Sequence, residues 1–322
     1  MSNYNERLIK AITYQSPDEI PVNCNFLPGA WMKYGDKMAD LAKEYPDFIH
    51  HIPDYKNPEN LISGGYRVGS FTDEWGCVWE NLDEGIVGMV TKHPIPNRED
   101  ILTYKPPNNT DGNCPHGFMY LRLLDLRGFE EAMIDFAEEC DEIQVLIDMV
   151  ADYNCRQVMH NLPGYKKGQV VIFGDDLGMQ EGLAIGADKW RKYLKPAFTR
   201  IYAPLKEKGC LVYMHTDGRI IDIMPDIVEC GVDIINPQFR ANGLNDLVRV
   251  CKGKIPIELD LDRQMFPFAT PDEIHNHVQE CVEALYLPEG GLSLNIEIGY
   301  DVPLTNMVAI FDAVRKFRKY KG

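Results

Sequence analysis

The chain has 322 residues, 45% of them hydrophobic, a formal charge of -16 and a pI of about 4.9. That length suits one large barrel or two ordinary domains. Such acidity excludes the basic patches that a nucleic-acid backbone or an anionic membrane surface requires. Nine scattered cysteines, none in a C-x-x-C pair, read as reduced thiols. The N-terminus, Met1-Ser2-Asn3-Tyr4-Asn5-Glu6, has neither a basic nor an apolar segment. It predicts no signal peptide and a cytoplasmic location. No apolar run approaches the ~20 residues of a membrane span.

In chain order, Leu8, Ile9, Ala11 and Ile12 mark a helix over 3–15, broken by Ser16-Pro17-Asp18. A short strand follows over 20–26, then helical segments over 28–50. Residues 52–116 are rich in Pro, Gly and Asn. Two alternating arms there, 70–80 and 85–94, predict a hairpin excursion, too small and loop-rich for a core of its own. The whole chain, 1–322, is therefore expected to be one domain.

From residue 117 the rhythm turns regular. Strands are predicted over 118–124, 169–176, 210–214, 232–236, 255–260 and 291–297. Helices are predicted over 128–139, 141–160, 188–208, 219–230, 244–250, 271–285 and 304–320, with Thr270 as a cap. Alternating strands and helices imply parallel βαβ units. Seven or eight such units favour a (β/α)8 TIM barrel over an open sheet, and no G-x-G-x-x-G or Walker A pattern argues for a nucleotide fold.

A barrel gathers the C-terminal strand ends at one mouth. The predicted strands bring there Asn23 and Asn25, Arg122 and Asp125, Asp175 and Asp176 with Gln180, His215 and Asp217, Asn236 and Gln238, Asp260 and Asp262, then Glu297, Tyr300 and Asp301. Carboxylates crowd this set. His215, Asp217 and Glu297 are candidate ligands of zinc or another divalent metal. Asp175, Asp176 and His215 are candidates for acid–base work, since crowded carboxylates raise one another's pKa. Asn25, Gln180, Asn236, Gln238 and Tyr300 are candidate substrate contacts. Asp175-Asp176 also suits helix capping. The other histidines, His116 among them, have no spacing that argues ligation.

Several stretches together resemble the uroporphyrinogen decarboxylase family: Asp73-Glu74-Trp75-Gly76-Cys77-Val78-Trp79 with His93-Pro94, Asp175-Asp176-Leu177-Gly178-Met179-Gln180, His215-Thr216-Asp217-Gly218, and Gly231-Val232-Asp233-Ile234-Ile235-Asn236-Pro237. The resemblance implies a UROD/MetE-like (β/α)8 barrel with its active site at the C-terminal mouth. The arginine-rich loop of the true decarboxylases is replaced here by Asn25-Phe26-Leu27-Pro28-Gly29-Ala30-Trp31-Met32, and their Gly-His-Gly turn by Ile298-Gly299-Tyr300-Asp301. An acidic mouth also repels a polycarboxylate substrate.

The chain therefore looks closer to the corrinoid-dependent methyltransferase branch, whose members include zinc enzymes with a His-x-Cys pair and a second Cys after the last strand. His215 matches the histidine, Asp217 stands at the first cysteine position and Glu297 lies near the second. The resemblance implies a methyltransferase acting on a small methyl donor or acceptor with a corrinoid protein as partner, and a homodimer is compatible with it. A cofactor-free tetrapyrrole decarboxylase and a small-molecule-binding protein are the alternatives.

Overall fold

The structure is a computed structural model and describes residues 2–62 and 64–322. The chain divides into two compact units, each built from separated segments. The first comprises residues 1–71, 80–89 and 238–322. The second comprises residues 72–79 and 90–237.

In the first unit, helix α1 (Ser2–Ile12) leads into strand β1 (Val22–Phe26), and α2 (Pro28–Tyr34), α3 (Asp36–Glu44) and the single turn α4 (Pro58–Leu61) follow. Strands β2 (Gly69–Thr72), β3 (Val78–Asn81) and β4 (Met89–Lys92) form a small sheet in that order. The first predicted hairpin arm is thus itself folded. Asp73 accepts the N–H groups of Trp75 at 3.0 Å and Cys77 at 2.9 Å, which turns the chain between β2 and β3. The Asp73 carboxylate also binds Trp79 Nε1 and the Arg122 guanidinium. In the second unit the Asp-Glu-Trp-Gly-Cys-Val-Trp motif is therefore an anchor, with Arg122 over the Trp75 ring at 5.4 Å.

The second unit continues with α5 (Tyr120–Arg127), α6 (Phe129–Glu138), α7 (Asp141–Asn161), β5 (Val170–Gly174), α8 (Gly186–Lys189), a π-helical turn over Trp190–Leu194, α9 (Lys195–Lys208), β6 (Leu211–Thr216), α10 (Met224–Glu229) and β7 (Ile234–Pro237). Its strands β5, β6 and β7 pair in parallel, with Gly174, His215 and Asn236 level with one another. The aromatic side of the 188–208 helix is core: Trp190, Phe198 and Tyr202 are buried.

The first unit then resumes with α11 (Phe239–Asn242), α12 (Leu244–Cys251), β8 (Ile257–Asp260), α13 (Pro271–Leu285), β9 (Leu292–Ile298) and α14 (Leu304–Phe317). Strand β9 pairs in parallel with β1 and β8, placing Asn295 level with Asn23 and Asp260. Thr270 caps α13 as expected, in a reciprocal box with Glu273. None of the nine cysteines is in a disulfide. No helix among the described residues is long and apolar enough to cross a membrane.

One strand expectation fails. Residues 118–124 enter helix α5 rather than a strand. The buried carboxylate of Asp175 accepts the N–H groups of Met119, Tyr120 and Leu121, which satisfies the donors that a helix N-terminus leaves open. Gly128, at φ 86°, ends the helix. A local apolar run loses to a carboxylate more than 50 residues away.

Candidate metal centre

The centre is assembled in the second unit from the ends of β5 and β6 and from the turn before α5. On β6, His215 lies between Gly174 and Asn236. His215 Nδ1 is 2.6 Å from the Asn236 amide oxygen. An amide oxygen only accepts, so Nδ1 donates to it. Asn236 thus orients the His215 ring, with Nε2 on the side of Asp217.

Gly174 makes room for a second imidazole. A Cβ there would lie 2.6 Å from His116 Nδ1, and Gly117 N–H donates to the Gly174 carbonyl at 2.8 Å. His116 Nε2 reaches Asp176 Oδ2 at 3.2 Å. The two imidazole rings stand 5.5 Å apart. His116, Asp176 and His215 each offer one ligand atom, all within 4.8 Å of one another. Asp217 Oδ1 lies 3.5 Å from His215 Nε2.

The loops after β5 and β6 are laced together beneath this set. Asp217 N–H donates to Asp176 Oδ1 at 3.0 Å, Asp175 N–H to the His215 carbonyl at 3.0 Å, Gly178 N–H to the Asp217 carbonyl at 3.2 Å, and Arg219 N–H to the Met179 carbonyl at 2.7 Å. Leu177 N–H donates to the Thr216 hydroxyl. The approach is so close that a Cβ on Gly218, at φ 81°, would stand 2.1 Å from the Gly178 carbonyl. The glycines of Asp-Asp-Leu-Gly and His-Thr-Asp-Gly are therefore packing requirements, and they fix Asp176 against His215.

The electrostatics follow from these pairs. The hydrogen bond to Asp176 raises the His116 pKa above its ordinary value, against an opposing effect of burial. Burial pushes Asp176 up, but the bond to His116, the charge of His116 and the Asp217 N–H outweigh it, so Asp176 ends below the usual range. Burial pushes Asp175 up to about 7, and the Leu121 and Tyr120 N–H groups partly offset it.

The anticipated site residues separate. His215, Asp176, Asp217 and Asn236 converge here. Asp175 spends both oxygens on the start of α5. Gln180 is exposed on the loop after β5. Asn25, Gln238, Glu297 and Tyr300 belong to the first unit. There Asn25 donates to Asn295, Gln238 bridges to Asp260, Glu297 pairs with Arg263, and the half-exposed Tyr300 accepts Lys33 through its carbonyl. His116 escaped the sequence reading, because a lone Pro-His-Gly carries no ligand spacing.

Residues 118–317 match the uroporphyrinogen decarboxylase (URO-D) family. Asp176 and His215 fall inside that segment, and His116 lies two residues before it. No curated protein matches the chain in sequence. Among solved structures, a methyltransferase from Methanosarcina mazei is similar, with a TM-score of 0.63 over 98% of this chain and 99% of that one, at 16% identity. That likeness is one of fold, and it bears out the α/β TIM-barrel class.

Proposed function

The chain belongs to the uroporphyrinogen decarboxylase family, and from that premise we propose that it is a metal-assisted methyltransferase, moving a methyl group between a small molecule and a corrinoid carried by a partner protein. The observation that carries this reading is the convergence of His116, Asp176 and His215. The methyltransferase name of the similar structure supports it.

The donor set fits a divalent metal. Two imidazoles and a carboxylate suit zinc, and the missing thiolates leave a harder site that admits other first-row divalent ions. His116, Asp176 and His215 are assigned as its holders, with Asp217 beside them. This revises the expected set of His215, Asp217 and Glu297. When bound, the metal supplies Lewis-acid polarisation of the heteroatom that carries or receives the methyl group.

The remaining residues act on position. Asn236 holds His215 in the tautomer that presents Nε2. Asp175 keeps the α5 start, and the turn that carries His116, against the end of β5. Asp217 holds Asp176 through its N–H and is placed to take a proton from a substrate heteroatom. Gln180 is assigned a substrate contact.

The test is metal content together with corrinoid methylation. The purified protein is expected to hold about one zinc or similar ion per chain. His116→Ala and His215→Ala should each weaken binding at least about 100-fold, since each removes a direct ligand where orienting partners alone account for about 10–100-fold. With a methylated small molecule supplied as donor, spectra of an added reduced corrinoid should report methylation that chelator abolishes. A metal-free protein at neutral pH, unchanged in stability by chelator, sinks the reading.

A further inference from the structure

Strand β5 carries an uncovered apolar side chain on the face that meets the candidate metal centre. Alternate residues of a strand point to one side. The Cβ direction of Gly174 runs to His116, with 2.6 Å to Nδ1, so Ile172, two residues earlier, shares that face. The opposite face belongs to Val171 and Phe173, which are buried, with Phe173 edge-on to Tyr202 of α9 at 5.1 Å. Register carries the pattern across the second unit. Gly174, His215 and Asn236 are level, and two residues earlier Ile172, Tyr213 and Ile234 are level in turn.

This lower layer holds no charged group. Tyr213 and Ile234 are covered, at 5% and 1% exposed, whereas Ile172 is 69% exposed. The middle of a core strand is ordinarily where a β-branched side chain is covered best. An apolar side chain left open there is stabilised by a hydrocarbon laid against it, and it offers a polar group no partner. Above it, Asp176 and Asp217 stand beside His215 and repel an anionic body.

We infer that the small molecule has an uncharged hydrocarbon body beyond the heteroatom that meets the metal, and that Ile172 is the residue that selects it. The two layers lie about 6.6 Å apart along a parallel strand, a span that about five carbons of an extended chain cover. This inference rests on the proposed metal centre and names the substrate class for it.

Thiols test it, because a thiolate that joins cobalt(II) shifts the visible absorption of the ion. The full chain loaded with cobalt(II) is titrated with ethanethiol, pentanethiol and mercaptobutyrate, the last similar in length to pentanethiol but ending in a carboxylate. Pentanethiol should bind at least about 10-fold tighter than ethanethiol, a part of the full transfer of its extra methylenes. Mercaptobutyrate should bind no tighter than ethanethiol. In Ile172→Asn the preference for pentanethiol should shrink to within about 3-fold, with cobalt content unchanged. Ile172→Ala, which removes most of the apolar surface, stands in if Ile172→Asn does not fold. Equal binding of the two alkyl thiols overturns the inference, as does mercaptobutyrate binding as tightly as pentanethiol, or a preference that survives the substitution. A chain that takes up no cobalt sinks the metal reading and this inference with it, whereas bound cobalt that no thiol reaches overturns this inference alone.

Discussion

The two units end their strands in similar residues and use them in opposite ways. In the second unit, Asp176 and Asp217 face the imidazoles of His116 and His215. In the first, Asp260 and Glu297 face the guanidinium of Arg263, and Asn23 and Asn25 both donate to Asn295, which donates to Asp260. An imidazole can release its proton and offer a lone pair, whereas a guanidinium stays charged and only donates. On the proposed reading one set of strand ends is open to a metal. In the other, Glu297, expected as a ligand, pairs with Arg263.

The sharpest way to break this contrast is to remove the guanidinium. Arg263→Met takes the guanidinium away from the buried Asp260 and the half-buried Glu297. It is expected to lower unfolding stability by about 3–5 kcal/mol, the usual result of breaking a buried pair from one side, with metal content unchanged. Urea unfolding beside metal analysis reads both. Loss of the metal with stability intact would reverse the roles assigned to the two regions.

Next in size is an effect of pH on the first unit's buried imidazole. His277 Nε2 accepts the Asp262 N–H at 3.0 Å, and burial pushes its pKa down to about 4, helped by the charge of Arg240 and opposed by Asp262. The unfolded chain takes up a proton near 6.5 that the folded chain refuses. Stability from this group is therefore full above about pH 6.5 and falls by up to about 3 kcal/mol as pH drops to 4. His277→Gln should flatten that slope in unfolding curves taken between pH 7 and 4. An unchanged slope would remove His277 as its source.

The smallest effect isolates position from ligation. Gly174→Ala places a methyl 2.6 Å from His116 Nδ1, so the ring must shift, at a cost of about 1–3 kcal/mol. Zinc affinity should fall about 10-fold, as when a group that orients a ligand is lost. Competition with a chromophoric chelator measures it. Unchanged affinity would show that His116 does not need its present place.

Much of this was legible from the chain. Apolar runs of four to seven residues ending in polar groups marked β5 to β9 and β1, because burial on both faces leaves a continuous hydrophobic run. Thr270 marked the start of α13, because capping is a local bond. His215, Asp176, Asp217 and Asn236 stood out because strand ends in a parallel fold share one side.

What escaped depended on partners distant in sequence. Residues 118–124 have the apolar content of a strand, yet Asp175 draws three of their N–H groups into a helix. His116 has no neighbour in sequence to announce it, and it becomes a candidate ligand only because Gly174 leaves a space and Asp176 stands within reach. Glu297 resembled a ligand until Arg263 closed on it.

Sequence by itself determined the element rhythm, the fold class and the residue types at the strand ends, since periodicity and capping are written within a few residues. Tertiary structure alone decided which carboxylate meets an imidazole and which meets a guanidinium. That choice sets the chemistry, because electrostatic pairing acts over a few ångströms of space rather than a few places along the chain.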